Sequence, residues 1–255
     1  MFNKIMQKGI NKIYSEMLDD QKVFIEAICK RVRHMDSSII YKAQGFFVPN
    51  QDFLRVVFGA EITNPEFDVY NSEGFTDWDN YLIFPMYNVL NEIVGLVGFN
   101  PINKLKSQDE EFWSLSYYKH SSSKLMDKSK YIFMLKGMFS RAINEGYIII
   151  TDGVFDMLSG AANNLVTGAL LGSTLSQEVI SQLKLIDKIY LAMDNDEAGQ
   201  RLLKLLRKYC PNTRAIIQGK YKDLDDILKS QYKDEFLKLF YKNLKSNINT
   251  DIVFR

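Results

Sequence analysis

Three acidic clusters carry the chemistry this sequence could perform. Asp152-Gly-Val-Phe-Asp156, Asp194-Asn-Asp196 and Asp223-Leu-Asp225-Asp226 each follow a short apolar run, over residues 147–151, 188–193 and 214–217. Runs of that length without alternation suit parallel strands buried on both faces. In an open parallel sheet, ligands bind beyond the carboxyl ends of the strands, so three strands would deliver carboxylates to one rim. Carboxylates gathered in this way resist joint ionisation. A hard divalent cation, Mg²⁺ or Mn²⁺, relieves that repulsion, because it takes oxygen ligands and keeps water places for substrate phosphates. Taken singly, each Asp has a plainer reading as the N-cap of the helix that follows. Three such clusters in one frame favour the metal reading, and Gly153 and Gly199 permit close backbone approach beside them.

The elements that must position these acids alternate. After about residue 130, the strands 147–151, 164–167, 188–193 and 214–217 are separated by helices expected at 155–162, 176–185 and 197–209, with Ser176 as a cap and Pro211 as a stop. A last helical region opens at 224–231. This pitch predicts a small parallel sheet covered by helices. The first part reads differently: a helical start, short strands at 45–48 and 53–58, and a hairpin of strands 81–86 and 93–99 turning at Leu90-Asn91-Glu92. The expected fold class is α/β with an α+β N-terminal part. The expected division is a 1–130 α+β part, a 131–228 parallel-sheet part and a short 229–255 helical remnant.

Composition narrows the function. The chain has 255 residues, 46% hydrophobic and 25% charged, enough to bury one large or two small cores. Its 32 basic and 31 acidic residues give a net charge of +1, which excludes attraction to nucleic acid through overall charge alone. The charge is blocked, however. Residues 119–141 hold six bases and one acid, and residues 201–222 hold seven bases and no acid. Two cysteines, Cys29 and Cys210, and two histidines, His34 and His120, exclude a zinc knuckle and a disulfide framework. No signal peptide or membrane span is expected, and a reducing cytoplasm is the expected compartment. No Gly-x-x-x-x-Gly-Lys-Ser/Thr loop is present, so helicase-type ATP hydrolysis is not encoded. Met126, Met134 and Met138 read as packing, as do Trp78, Tyr117 and Tyr118, although aromatic rings could also stack on bases.

Together the motifs resemble the TOPRIM-containing catalytic core of bacterial and phage DnaG-type primases. That family has a strand ending in Glu-Gly-x-x-Asp, a Leu-Gly-Thr turn, a strand ending in Asp-x-Asp-x-Ala-Gly, and a later Asp-Pro-Asp. Here these read Asp152-Gly153…Asp156, Leu171-Gly172-Ser173-Thr174, Asp194-Asn195-Asp196-Glu197-Ala198-Gly199 and Asp223-Leu224-Asp225. Upstream, LIFPMYNVLNEIVGLVGF and KLMDKSKYIFMLKGM are similar to the family's strand pair and its basic segment, so the likeness covers about residues 80–230. Departures are specific. Asp152 replaces the family's Glu, no Arg follows Gly98, and Trp78-Asp79-Asn80-Tyr81 replaces an Arg-rich stretch. No N-terminal zinc-binding module is recognisable.

The resemblance implies a DNA-directed RNA polymerase making short primers from NTPs on single-stranded DNA, with Mg²⁺ or Mn²⁺. By resemblance, Asp152, Asp194 and Asp196 are catalytic. Asp156, Asp194, Asp196, Asp223 and Asp225 hold metal, and Lys128, with Lys124, Lys130 and Lys136, contacts nucleic acid or the nucleotide. A replicative helicase or a separate zinc-module protein is an expected partner, and the short core suits a phage or mobile-element replication system. Two other readings stand beside it: a metal-dependent TOPRIM nuclease, and a primase-like protein that binds nucleic acid or replisome without catalysis.

Overall fold

The structure is a computed structural model describing all residues except 72, 75, 110–115, 122–124, 173, 194–195, 247–249 and 255. It divides into two compact units, Met1–Asp127 and Lys128–Arg255.

In the first unit, the helices α1 (Phe2–Glu16), α2 (Leu18–Ile28) and α3 (Ser38–Lys42) precede strand β1 (Phe46–Val48) and helix α4 (Gln51–Phe58). Strands β2 (Tyr81–Tyr87) and β3 (Ile93–Phe99), helix α5 (Pro101–Lys106) and strand β4 (Tyr118–His120) follow. Among the described residues the strands form an antiparallel sheet in the order β1-β2-β3-β4. In α1, Phe2, Met6, Gly9, Ile10 and Ile13 recur at helical spacing and are buried. Phe2, Met6, Ile10 and Ile13 join Phe46, Leu54, Phe58, Ile83 and Leu96 in one core. The free edge of β1 is closed by Gln21, whose carboxamide accepts from the Phe47 N–H at 2.6 Å and donates to the Phe47 carbonyl at 3.0 Å. Asn88 Oδ1 accepts the N–H groups of Leu90 and Glu92 and so closes the β2–β3 turn. Gly98 lets Trp78 lie against β3: a Cβ there would stand 2.7 Å from the indole. Trp78 and Met126 are both buried.

The strand expected at 53–58 is a helix instead. Asn50 Oδ1 accepts the Asp52 and Phe53 N–H groups at 3.1 Å each, an N-cap that starts α4. Phe53, Leu54, Val57 and Phe58 are buried while Val56 is exposed, a helical stripe that β-branched residues had disguised as a strand.

The second unit runs α6 (Met138–Glu145), β5 (Tyr147–Thr151), α7 (Val154–Ala162), β6 (Thr167–Ala169), α8 (Gln177–Leu183), β7 (Lys188–Ala192) and α9 (Glu197–Tyr209). It continues with β8 (Thr213–Ile217), α10 (Leu224–Lys229), α11 (Lys233–Lys245) and β9 (Ile252–Val253). Among the described residues its five strands are parallel, in the order β6-β5-β7-β8-β9. The interior strand β5 is buried throughout, with Ile148, Ile149 and Ile150 at 0% exposure, as a strand covered on both faces requires.

Two further differences from expectation have local causes. The strand expected at 164–167 starts only at Thr167, because Asn164 turns left-handed (φ 61°) to end α7 and ladder bonding begins at the Val166 carbonyl. The C-terminal segment is not purely helical, since β9 extends the sheet along β8. Asp251 starts that pairing by accepting the Ala215 N–H at 2.8 Å and pairing with Arg207. Two strand residues are too few to leave a periodic signal.

Replacing Asn50 with Ala removes the side-chain acceptor that starts α4, and it is expected to cost about 1 kcal/mol of stability. Asn50→Asp should keep most of it. Urea unfolding of both variants measures this, and equal loss in both would contradict the capping account.

Candidate active site

The strand order gives the rim its position. Taking β5 as the first strand of the parallel sheet, the order is 2-1-3-4-5. The chain leaves β5 toward β6 on one side and returns to β7 on the other. A crevice forms at such a switch point, beyond the carboxyl ends of the two adjacent strands. In register, Thr151 of β5 faces Ala192 of β7. Asp152 follows the first and Met193 the second. A cleft of about 210 Å³ opens there, lined by Asp152, Gly172, Met193, Asp196 and Gly199 among others.

Each acid is held differently. Asp152 is exposed at the end of β5. Asp196 is the N-cap of α9, its Oδ1 accepting the Gly199 N–H at 2.8 Å. Asp223 is the N-cap of α10, its Oδ1 accepting the Asp226 N–H at 2.8 Å. Capping occupies one oxygen through a main-chain bond, and it also fixes the direction of the carboxylate. Asp156 lies in the first turn of α7, where its Oδ1 accepts the Asp225 N–H at 3.0 Å. Its Oδ2 lies over Gly153, at 2.7 Å from where a Cβ would be, so a side chain at 153 would displace it. Asp225 is buried and hydrogen-bonded to Ser159 Oγ, and it pairs with Lys229 at 2.5 Å. Asp194 and Lys124 lie outside the described residues.

The electrostatics record the crowding. Burial pushes the Asp156 carboxyl up to about 7 from 3.8, the negative charge of Asp223 adds to this, and Asp152 and Asp225 add less; the Asp225 N–H opposes the rise. Burial also raises Asp223, helped by the charges of Asp226 and Asp225. The first turns of α7, α9 and α10 all open toward these acids, and their N-terminal partial charges offset part of the repulsion.

Among the basic residues, Lys128 stands beside the cleft. Its Cε is 4.0 Å from where a Cβ on the cleft-lining Gly172 would be. Lys130 pairs with Glu178 at 3.9 Å with both side chains half exposed, and Lys136 is exposed. Sequence reasoning missed Ser159 and Lys229. Both bond Asp225: Lys229 stands one helical turn beyond it, a spacing that was an available signal, while Ser159 lies 66 positions away and left none.

Mg²⁺ or Mn²⁺ fits the chemistry of this donor set, which offers only carboxylate oxygen. Among the described residues, no three acids, histidines or cysteines are grouped closely enough to hold an ion. Mg²⁺ needs only one or two protein carboxylates, its other places going to water and substrate phosphate.

Asp156→Asn keeps an acceptor for the Asp225 N–H while removing the crowded charge. A carboxyl raised in the folded state binds its proton more tightly there than in the unfolded chain. Its contribution to stability is therefore favourable at low pH and is lost as pH rises from about 4 to about 7. In metal-free protein, Asp156→Asn should melt above wild type at pH 8, by an amount on the order of a few kcal/mol at most, and the gap should close below pH 4. A variant that melts lower at pH 8 would contradict the crowding.

Comparison with known proteins agrees with this architecture. Residues 149–228 match the Toprim-like family model. The chain is 27% identical over 214 residues to the DNA primase of Thermotoga maritima, a match covering 78% of this chain and 36% of that protein. It thus spans about a third of the length of that curated relative. It is 28% identical over 197 residues to an uncharacterized protein of Mycoplasma genitalium, covering 73% of this chain and 76% of that one. In structure it is similar to the RNA polymerase domain of Mycobacterium tuberculosis primase DnaG, crystallised with a double-stranded DNA oligomer bearing a 6-nucleotide overhang. There the TM-score is 0.71 at 15% identity, over 93% of this chain and 79% of that chain. The chain therefore carries a Toprim-like domain and has the fold of a DnaG-type primase catalytic core.

Proposed function

We propose that this chain is a primase: it joins ribonucleotides on a single-stranded DNA template to make short RNA primers. The observation that carries the reading is the meeting of Asp152 and Asp196 in one cleft at the switch point of the parallel sheet, with Asp156 and Asp223 electrostatically coupled beside it. The fold shared with primase cores supports it, as does the likeness to a DNA primase.

In the proposed reaction the primer 3′-hydroxyl oxygen bonds to the α-phosphorus of an incoming NTP. The bond from that phosphorus to the bridging oxygen breaks, pyrophosphate leaves, and the hydroxyl proton passes to a base. Asp152, exposed at the end of β5, is the proposed acceptor of that proton or a metal ligand, and its shorter reach than Glu asks for a closer approach. Asp196, Asp194, Asp156 and Asp223 would hold the cation. The Gly199 N–H keeps Asp196 aimed before substrate arrives. Lys128 meets the phosphate tail beside the Gly172 turn, while Lys130, Lys136 and Lys124 supply weaker, sequence-independent phosphate contacts. When bound, Mg²⁺ or Mn²⁺ supplies positive charge to the attacking and leaving oxygens.

The test is incorporation of labelled ribonucleotides on single-stranded DNA with each metal. Wild type should make primers of defined length, and Asp194→Asn/Asp196→Asn should lose at least about a hundredfold, the scale of removing transition-state charge stabilisation. Equal product from both proteins would overturn the assignment. Cutting of the template without nucleotides would favour the nuclease reading instead.

A further inference from the structure

We infer that Asp225 is a positioning residue rather than one of the groups that would hold the cation: with Ser159 and Lys229 it forms a polar pin that sets Asp156. The inference rests on the reading of the rim as a metal-dependent site, and it divides the acids into those that face the ion and one that stands behind them.

Both oxygens of Asp225 are already engaged. Oδ1 accepts from Ser159 Oγ on α7, and Oδ2 accepts from Lys229 Nζ at 2.5 Å, one turn along α10. The residue is 7% exposed. A cation at Asp225 would have to displace an ammonium that already neutralises it, and the freed charges would then lie in a desolvated place, a costly exchange. Asp223, by contrast, is half-buried at the helix start.

The pin acts on Asp156 through the main chain. The Asp225 N–H donates to Asp156 Oδ1, while the Asp225 side chain receives Ser159, one turn beyond Asp156 on the same helix. Two hydrogen bonds running in opposite senses between α7 and α10 thus enclose Asp156. One of its oxygens is fixed by the N–H, and the other is left over Gly153, where only hydrogen fills the space. Loosening Asp225 would let the Asp156 carboxylate rotate away from that direction. Lys229 sets the rotamer of Asp225, because it pulls Oδ2 along α10 while Oδ1 turns to Ser159. An outer-shell partner of this kind acts on the metal without touching it.

The experiment titrates Mn²⁺ alone into the full chain by calorimetry and follows thermal melting in parallel. Ser159→Ala, Lys229→Met and Asp225→Asn should each weaken Mn²⁺ binding by a similar factor, about tenfold, the lower end of the usual outer-shell effect. Ser159→Thr, which keeps the hydroxyl, should restore it. Asp156→Asn should lose more than any of them. The inference is overturned if Asp225→Asn falls as far as Asp156→Asn while Ser159→Ala and Lys229→Met bind like wild type, which would make Asp225 a ligand. It is equally overturned if the three variants melt lower yet bind Mn²⁺ unchanged, which would make the cluster merely structural. If wild type takes up no Mn²⁺, the metal reading of the rim fails. The pin is then judged by the melting cycle of Ser159→Ala with Asp225→Asn: non-additive losses sustain it and additive ones refute it.

Discussion

Mutual repulsion of carboxylates at one end of a sheet is the constraint around which the second unit is organised. Asp156 feels Asp223, Asp152 and Asp225, and it feels its own burial more strongly than any of them. A fold that merely needed stability would dilute these charges. This one tolerates them by surrounding the rim with helix N-termini, main-chain N–H donors and the Lys229 ammonium.

Such a rim can be held only by a stiff base. The parallel sheet supplies it through β5 and β7, paired in register along five residues and buried on both faces. Its outer edges are closed in different ways. Phe133 bridges to Ala169 beside β6, with both backbone bonds at 2.8 Å, and β9 covers β8. On the flank, α11 is fixed to the strands by buried Phe236 and Phe240, by Lys188 bonding the carbonyls of Leu244 and Ser246, and by Tyr190 and Arg214 meeting Asn243. The first unit solves a different problem with an antiparallel sheet whose β1 edge is shut by the Gln21 amide.

Legibility in the sequence followed how local each cause was. Strands β5 and β7 and helix α9 could be read because unbroken apolar runs, an acid at the start and Pro211 at the stop act within a few residues. The placement of Asp152 and Asp196 at strand ends was readable for the same reason. Residues 53–58 misled because Val56, Val57 and Phe58 favour strands by type, while the Asn50 cap and the buried face of α4 decided otherwise. Strand β9 was hidden because its partner β8 is distant in sequence and its length is two residues. The surroundings of Asp225 were hidden too, since Ser159, which donates to its carboxylate, lies 66 positions away.

The central claim is that the carboxylates at the ends of β5 and β7 gather a hard divalent cation. An anomalous difference map from crystals soaked in Mn²⁺ tests it without reference to activity. The account predicts a peak at the rim within about 2.0–2.6 Å of carboxylate oxygens, with Asp196 among the donors. A map with no peak at that rim, or with manganese bound only elsewhere on the chain, would contradict it.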